Sequence, residues 1–215
     1  MENFSFNRMD SINVLDAAQR LMDELQKEYS SMTTINVVVV GKTGSGKSTL
    51  INHVFREKMA DTGTGMPVTQ EIKKIEKAGF PLRIYDTPGL ELGGDNSIEN
   101  LIEDIQGLIE DGIQSQDPNQ AIHCIWYCIN VQSSRIEPTE MEFIKNLVNK
   151  TKYYNVPVIV ILTQAYPKKK ITEMKDAILS AHLPIEAIVP VLAKDVEFDD
   201  DYVIKASGLD KLVEV

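Results

Sequence analysis

Gly41-Lys42-Thr43-Gly44-Ser45-Gly46-Lys47-Ser48 sets glycines, a lysine and a hydroxyl at the spacing G-x-x-x-x-G-K-S. The chemistry that this combination suits is the binding of a nucleoside triphosphate with magnesium. Glycines let the backbone fold tightly, so that N–H groups converge on phosphate oxygens. The residues expected to form that cradle are Thr43, Gly44, Ser45, Gly46, Lys47, Ser48 and Thr49. Lys47 adds a point charge for the β- and γ-phosphates, and Ser48 adds a hydroxyl for Mg²⁺.

Asp86-Thr87-Pro88-Gly89 supplies the second set of groups. An acidic residue at a strand end holds Mg²⁺ through water, and Gly89 brings an N–H to the γ-phosphate. Between the two motifs lies Asp61–Gln70, rich in glycine and ending in Val68-Thr69. Thr69 is the expected second hydroxyl ligand of the metal, in a loop that orders with the γ-phosphate. Thr62 and Thr64 are the alternatives. The metal set is therefore Ser48, Thr69 and Asp86, and the catalytic set is Lys47, Thr69 and Gly89.

These residues need a strand before the loop and a helix after it. Ile35–Val40 is a continuous β-branched run, as in a strand buried on both faces of a parallel sheet. Ser48–Phe55 reads as the helix. Further strands are expected at Glu71–Lys77, Leu82–Tyr85, Ile122–Asn130, Val156–Leu162 and Ile188–Leu192. Helices are expected at Ser97–Gly112, Pro138–Lys150 and Thr172–Ala181 from their apolar spacing. Only Ala-Gly-Phe-Pro separates the second and third strands, which predicts an antiparallel hairpin. The remaining alternation predicts a doubly wound α/β fold with ligands at the carboxyl ends of the strands. Asp10–Tyr29 carries a helical apolar stripe, so residues 1–34 read as a helical extension and 35–215 as the nucleotide-binding domain. That stripe is expected to pack on the domain, with a dimer or partner contact as the alternative. Ser207–Val213 reads as the start of a closing helix, and the chain is expected to be a piece of a longer protein.

Together, Gly41–Ser48, Thr69 and Asp86–Gly89 resemble three motifs of the Ras-like superfamily of P-loop GTP-binding domains, in the usual order. His123–Asn130 followed by Arg135-Ile136-Glu137 looks more specifically like the bacterial Era-like and immunity-related GTPases. The resemblance runs from about Ile35 to the C-terminus. It implies a mostly parallel six-stranded sheet of order 2-3-1-4-5-6, second strand antiparallel, with helices on both faces. It implies hydrolysis of GTP to GDP and phosphate with Mg²⁺, as a regulatory switch. The family's Asn/Thr-Lys-x-Asp base motif falls on Thr163-Gln164-Ala165-Tyr166. Thr163 fits, and the aliphatic stem of Gln164 can cross a purine. Tyr166 stands where the family has a carboxylate, a role for which Asp195 is the available substitute. Leu192-Ala193-Lys194 resembles the Ser-Ala-Lys element, whose alanine N–H meets the guanine carbonyl; Ala193 and Lys194 are its base-site residues, and they favour guanine over adenine. Many relatives orient the attacking water with a glutamine after the glycine of Asp-x-x-Gly. Here that residue is Leu90, so slow intrinsic hydrolysis is expected, accelerated by an activating protein or a homodimer. Two alternatives stand beside this reading: an assembly module with little turnover, and an NTPase of relaxed base specificity.

Composition narrows the partners. The 215 residues carry 22 Lys plus Arg against 32 Asp plus Glu, a net charge of −10. That excludes a broad positive field, so no DNA partner is expected. Lys168-Lys169-Lys170 is expected to be a solvated loop, with RNA, a ribosome or an anionic membrane surface as the alternative. No apolar run reaches the about 20 residues of a membrane span. Cys124 and Cys128 share a strand face too far apart to bridge, and read as reduced core thiols of a cytoplasmic protein.

Overall fold

The structure is a computed structural model that describes Asp23 and residues 31–56, 59–60, 71–90, 97–133, 135–198 and 202–214. The expected N-terminal helix lies almost wholly outside them, as do Thr62, Thr64 and Thr69.

The first strand, β1 (Ile35–Gly41), is followed by helix α1 (Lys47–Val54), then by β2 (Lys73–Glu76) and β3 (Leu82–Asp86). Next come α2 (Ser97–Gln114), β4 (Cys124–Asn130), α3 (Pro138–Thr151), β5 (Val158–Thr163), α4 (Lys168–Ser180) and β6 (Ala187–Val191). A short hairpin, β7 (Val196–Glu197) with β8 (Val203–Ile204), precedes α5 (Leu209–Glu214).

The main sheet has the order β2-β3-β1-β4-β5-β6, with β2 antiparallel to β3 and the other pairs parallel. This is the expected topology. Side chains alternate across each strand, and that alternation assigns two cores. Val38, Val40, Tyr127, Val160 and Leu162 pack with Ile105 of α2, Leu147 of α3 and Ile178 of α4. Val37, Val39, Trp126, Cys128 and Ile161 pack with Leu50 and Ile51 of α1 and Leu212 of α5. Trp126 and Tyr127 are therefore neighbouring core residues on opposite faces. Cys124 and Cys128 are free thiols on the same face, both pushed up to about 12 by burial.

Several elements differ from expectation. Pro157 has no N–H to donate to the ladder, so β5 begins at Val158. Lys168–Lys170 is no loop but the first turn of α4, preceded by extended Pro167. The β7–β8 hairpin is too short to leave a periodic signal. Beyond it, Gly208 enters α5 at φ 88°, and a Cβ there would lie 2.1 Å from the carbonyl oxygen of Pro190. Only glycine lets the closing helix dock against β6.

Candidate functional site

Parallel β1, β3, β4 and β5 all end on one edge of the sheet, and the chemistry-bearing residues sit at those ends. Gly41 closes β1. A Cβ on it would lie 2.5 Å from the Cys128 carbonyl oxygen and 2.7 Å from Ser45 Oγ, so the loop can lie against β4 only with glycine there. Gly44 and Gly46 take φ 76° and 88°, the left-handed region that glycine enters without strain. The Ser45 N–H donates to the Lys42 carbonyl at 3.0 Å, and the Thr43 N–H donates to the Leu90 carbonyl at 3.4 Å. Thr43 and Ser45 thus build the loop's shape. Ser45 Oγ is buried and makes no hydrogen bond among the described residues. Gly46 is the N-cap of α1, and Lys47, Ser48 and Thr49 are its first three residues. Their N–H groups have no carbonyl one turn earlier within the helix, which makes this end an anion site.

Lys47 is only 8% exposed. Its ammonium donates to the carbonyls of Gly41 at 2.8 Å and Lys42 at 3.3 Å, bending across the loop's mouth. Burial pulls its pKa below the ordinary lysine value, opposed by the nearby carboxylate of Asp86. Asp86 ends β3, buried, in register with Val39 of β1. Thr87 clips this turn to β1. Its hydroxyl and its N–H both donate to the Val39 carbonyl, at 2.9 and 3.2 Å. Gly89 lies against the loop: a Cβ there would fall 2.4 Å from Thr43 Oγ1 and 2.9 Å from Thr43 Cα. Leu90 turns into the core, so its side chain faces away from the loop.

Two polar contacts from neighbouring strands steady the loop. The Thr163 hydroxyl donates to the Ser45 carbonyl at 2.5 Å, and Asn130 Nδ2 donates to the Gly44 carbonyl at 3.4 Å. A third comes from α3: Lys42 Nζ pairs with Glu137 at 2.9 Å and lies 3.9 Å from buried Glu140. Asn130 and Glu140 were not expected to contribute. The only signal for either is position, at a strand end and in a first helical turn.

Beside the loop opens a cavity of about 270 Å³. Gly46, Thr49, Thr163, Gln164, Tyr166, Ala193 and Lys194 line it. The structure therefore brings together the expected loop residues, Asp86, Gly89 and the expected base-site residues. Asp195 does not line the cavity. Its two oxygens accept from Lys205 Nζ and the Ala206 N–H, both at 2.8 Å, and pin the base of the β7–β8 hairpin.

Hard oxygen donors such as Ser48 and Asp86 suit Mg²⁺, which takes one or two protein oxygens and completes its shell with phosphate and water. Among the described residues no group of three or more His, Cys, Asp or Glu side chains could hold a metal ion.

The comparisons agree with this geometry. A family model described as "50S ribosome-binding GTPase" matches residues 36–164. Neuronal-specific septin-3 of Danio rerio is 29% identical over 166 residues, covering 66% of this chain and 45% of its own. Septin-9 of Rattus norvegicus is 31% identical over 166 residues, covering 64% and 29%. The chain thus spans less than half the length of each of these two relatives. Among solved structures, Aquifex aeolicus Era bound to GDP·AlF4− matches with TM-score 0.56 and 25% identity, covering 85% of this chain and 56% of that one. Arabidopsis thaliana Toc33 with GDP and Mg²⁺ shares the fold, with TM-score 0.56 and 20% identity, covering 91% and 88%. The matched span takes in the phosphate loop, the Asp86–Gly89 turn and Thr163, and on that match the chain belongs to the 50S ribosome-binding GTPase family.

Proposed function

We propose that this chain binds GTP with Mg²⁺, hydrolyses it to GDP and phosphate, and works as a regulatory switch. One observation carries the reading: the Gly41–Ser48 loop runs directly into a cavity of about 270 Å³, with Gly46 belonging to both. The N–H groups at the start of α1 and the Lys47 ammonium would take the phosphates. Lys47 would exchange its two carbonyl partners for phosphate oxygens, and those oxygens would restore the charge that burial disfavours. Ser48, Thr69 and Asp86 would hold the metal, which supplies neutralisation of charge developing on the phosphoryl oxygens. The Gly89 N–H would reach the γ-phosphate and transmit its loss to the segment that follows.

In-line attack by water needs an orienting group, and Leu90 is not one. We therefore infer slow turnover until another molecule completes the site. Among the fold's neighbours, dimerisation is important for the GTPase activity of the chloroplast translocon components atToc33 and psToc159, a match with TM-score 0.61 and 19% identity. A homodimer across the nucleotide face is the version favoured here. Era has been solved with a segment of 16S ribosomal RNA, which keeps RNA as a second class of partner to test. Free Cys124 and Cys128 support a reducing, cytoplasmic setting. Among the described residues no helix is long and apolar enough to cross a membrane.

The test is phosphate release from GTP and from ATP, with and without Mg²⁺. More than one equivalent of phosphate from GTP, lost in Lys47→Ala, is the expected result. Faster release from ATP than from GTP would overturn the base assignment.

A further inference from the structure

The family's carboxylate position is filled by Tyr166, and the structure shows that side chain built into the cavity wall. Its ring is half-buried and meets Phe198 edge-on, with centroids 5.8 Å apart and planes at 82°. Phe198 in turn packs against Tyr202 at 5.9 Å, across the β7–β8 hairpin. The backbone of Tyr166 is held as well. Its N–H donates to the Gln164 carbonyl at 2.8 Å, and Gln132 Nε2 donates to the carbonyls of both Tyr166 and Gln164. Tyr166 is thus fixed from the hairpin on one side and from the end of β4 on the other.

We propose that Tyr166 sets the base specificity of the cavity: the site accepts 6-oxopurines and does not read the 2-amino group of guanine. This rests on the nucleotide-site reading above. A carboxylate in this place would accept from both the ring N–H and the 2-amino group. A phenol has one oxygen and one hydroxyl hydrogen, so it meets the ring edge at a single point. Besides the polar Thr49, Thr163 and Lys194, the rest of the wall offers aliphatic faces, those of Leu50, Val191, Leu192, Val196 and the stem of Gln164. Such surfaces bind any purine by stacking and burial and carry no donor–acceptor code. Discrimination that does survive falls on the 6-oxo group, which the Ala193 N–H would meet. Hypoxanthine and guanine share that group and differ only in the 2-amino substituent. Asp195, which follows the lining residue Lys194 in the chain, is already held by Lys205 and Ala206.

The test is titration calorimetry of the full chain with GDP, IDP and ADP, each with Mg²⁺. GDP and IDP are expected to bind within about threefold of each other, and ADP at least about tenfold more weakly. Tyr166→Asp is expected to shift the GDP:IDP ratio about tenfold or more toward GDP, since the new carboxylate pairs with the 2-amino group. Tyr166→Phe is expected to weaken GDP and IDP by the same factor and leave their ratio alone. A wild-type preference for GDP over IDP above about tenfold overturns the proposal, and that ratio is read without any variant having to fold. A Tyr166→Asp protein that folds and keeps the wild-type ratio also overturns it. If none of the three diphosphates binds the wild type, the nucleotide-site reading itself fails.

Discussion

The Thr163 hydroxyl donates to the Ser45 carbonyl at 2.5 Å, so the end of β5 holds the phosphate loop from below. The contact is close on the glycine side too: a Cβ on Gly46 would lie 3.1 Å from Thr163 Oγ1. Thr163→Ala leaves a carbonyl without this partner and frees the loop. GDP affinity is expected to fall by about fivefold, with a lower melting temperature. Thr163→Ser is expected to restore both. Unchanged affinity in the alanine variant would show that the loop does not depend on β5.

Gly89 supports a prediction that separates the two nucleotide states. An added methyl would press on Thr43 at 2.4–2.9 Å, in backbone as well as side chain. The turn must therefore move away from the loop, taking its N–H with it. Gly89→Ala is expected to weaken a non-hydrolysable GTP analogue by at least about tenfold. GDP, which lacks the γ-phosphate, is expected to bind nearly as before. Equal losses for the two ligands would place Gly89 in loop packing alone.

Lys47 is a buried cation hydrogen-bonded to neutral carbonyls, with the Asp86 carboxylate nearby. Burial lowers its pKa, so the unfolded chain binds the proton more tightly. Wild-type stability is therefore expected to rise with pH between the lowered folded value and 10.5, the ordinary one. Lys47→Met keeps the stem and removes the charge. It is expected to melt higher than the wild type at pH 7 without nucleotide, by a margin that shrinks toward pH 10, and to bind no GTP. A variant that melts lower at pH 7 would mean that the ammonium is well solvated.

Glu140 carries the opposite sign. Burial raises its carboxyl pKa, although Lys42 and the Tyr127 hydroxyl partly oppose that. Its ionisation is then more costly in the folded protein than in the unfolded chain. Stability is expected to fall as pH rises from about 4.5 through the raised value, and to level off above it. Glu140→Gln removes this dependence. Melting curves from pH 4 to pH 8 should show the variant gaining on the wild type across that window. A gap that closes instead would show that the pairing with Lys42 outweighs burial.

The sequence carried most of this site because its groups are local. Gly41–Ser48 and Asp86–Gly89 are short segments whose chemistry is set by residue type, and Ile35–Val40 declares a buried strand. The hairpin of β2 and β3 followed from a four-residue connection. What escaped depends on contacts between distant segments. Thr87, Asn130 and Glu140 are ordinary residues until register brings them to the loop. The Tyr166–Phe198–Tyr202 wall joins residues 32 and 36 positions apart through a hairpin of two-residue strands, too short for any periodicity. Lys168–Lys170 misled because three like charges read as loop, whereas exposed lysines are good helix formers once Pro167 sets the start. Thr69 lies outside the described residues, so its part in the metal site stands on the sequence alone.

The central claim is that this loop and its neighbours turn over GTP, slowly until a second molecule completes the site. The direct measurement is the rate of phosphate release per mole of protein, with saturating GTP and Mg²⁺, over a hundredfold range of protein concentration. Release beyond one equivalent, a specific rate that climbs with protein concentration, and loss of both in Lys47→Ala are expected. Release that stops at one equivalent at every concentration, or that is as fast in Lys47→Ala as in the wild type, would contradict the claim.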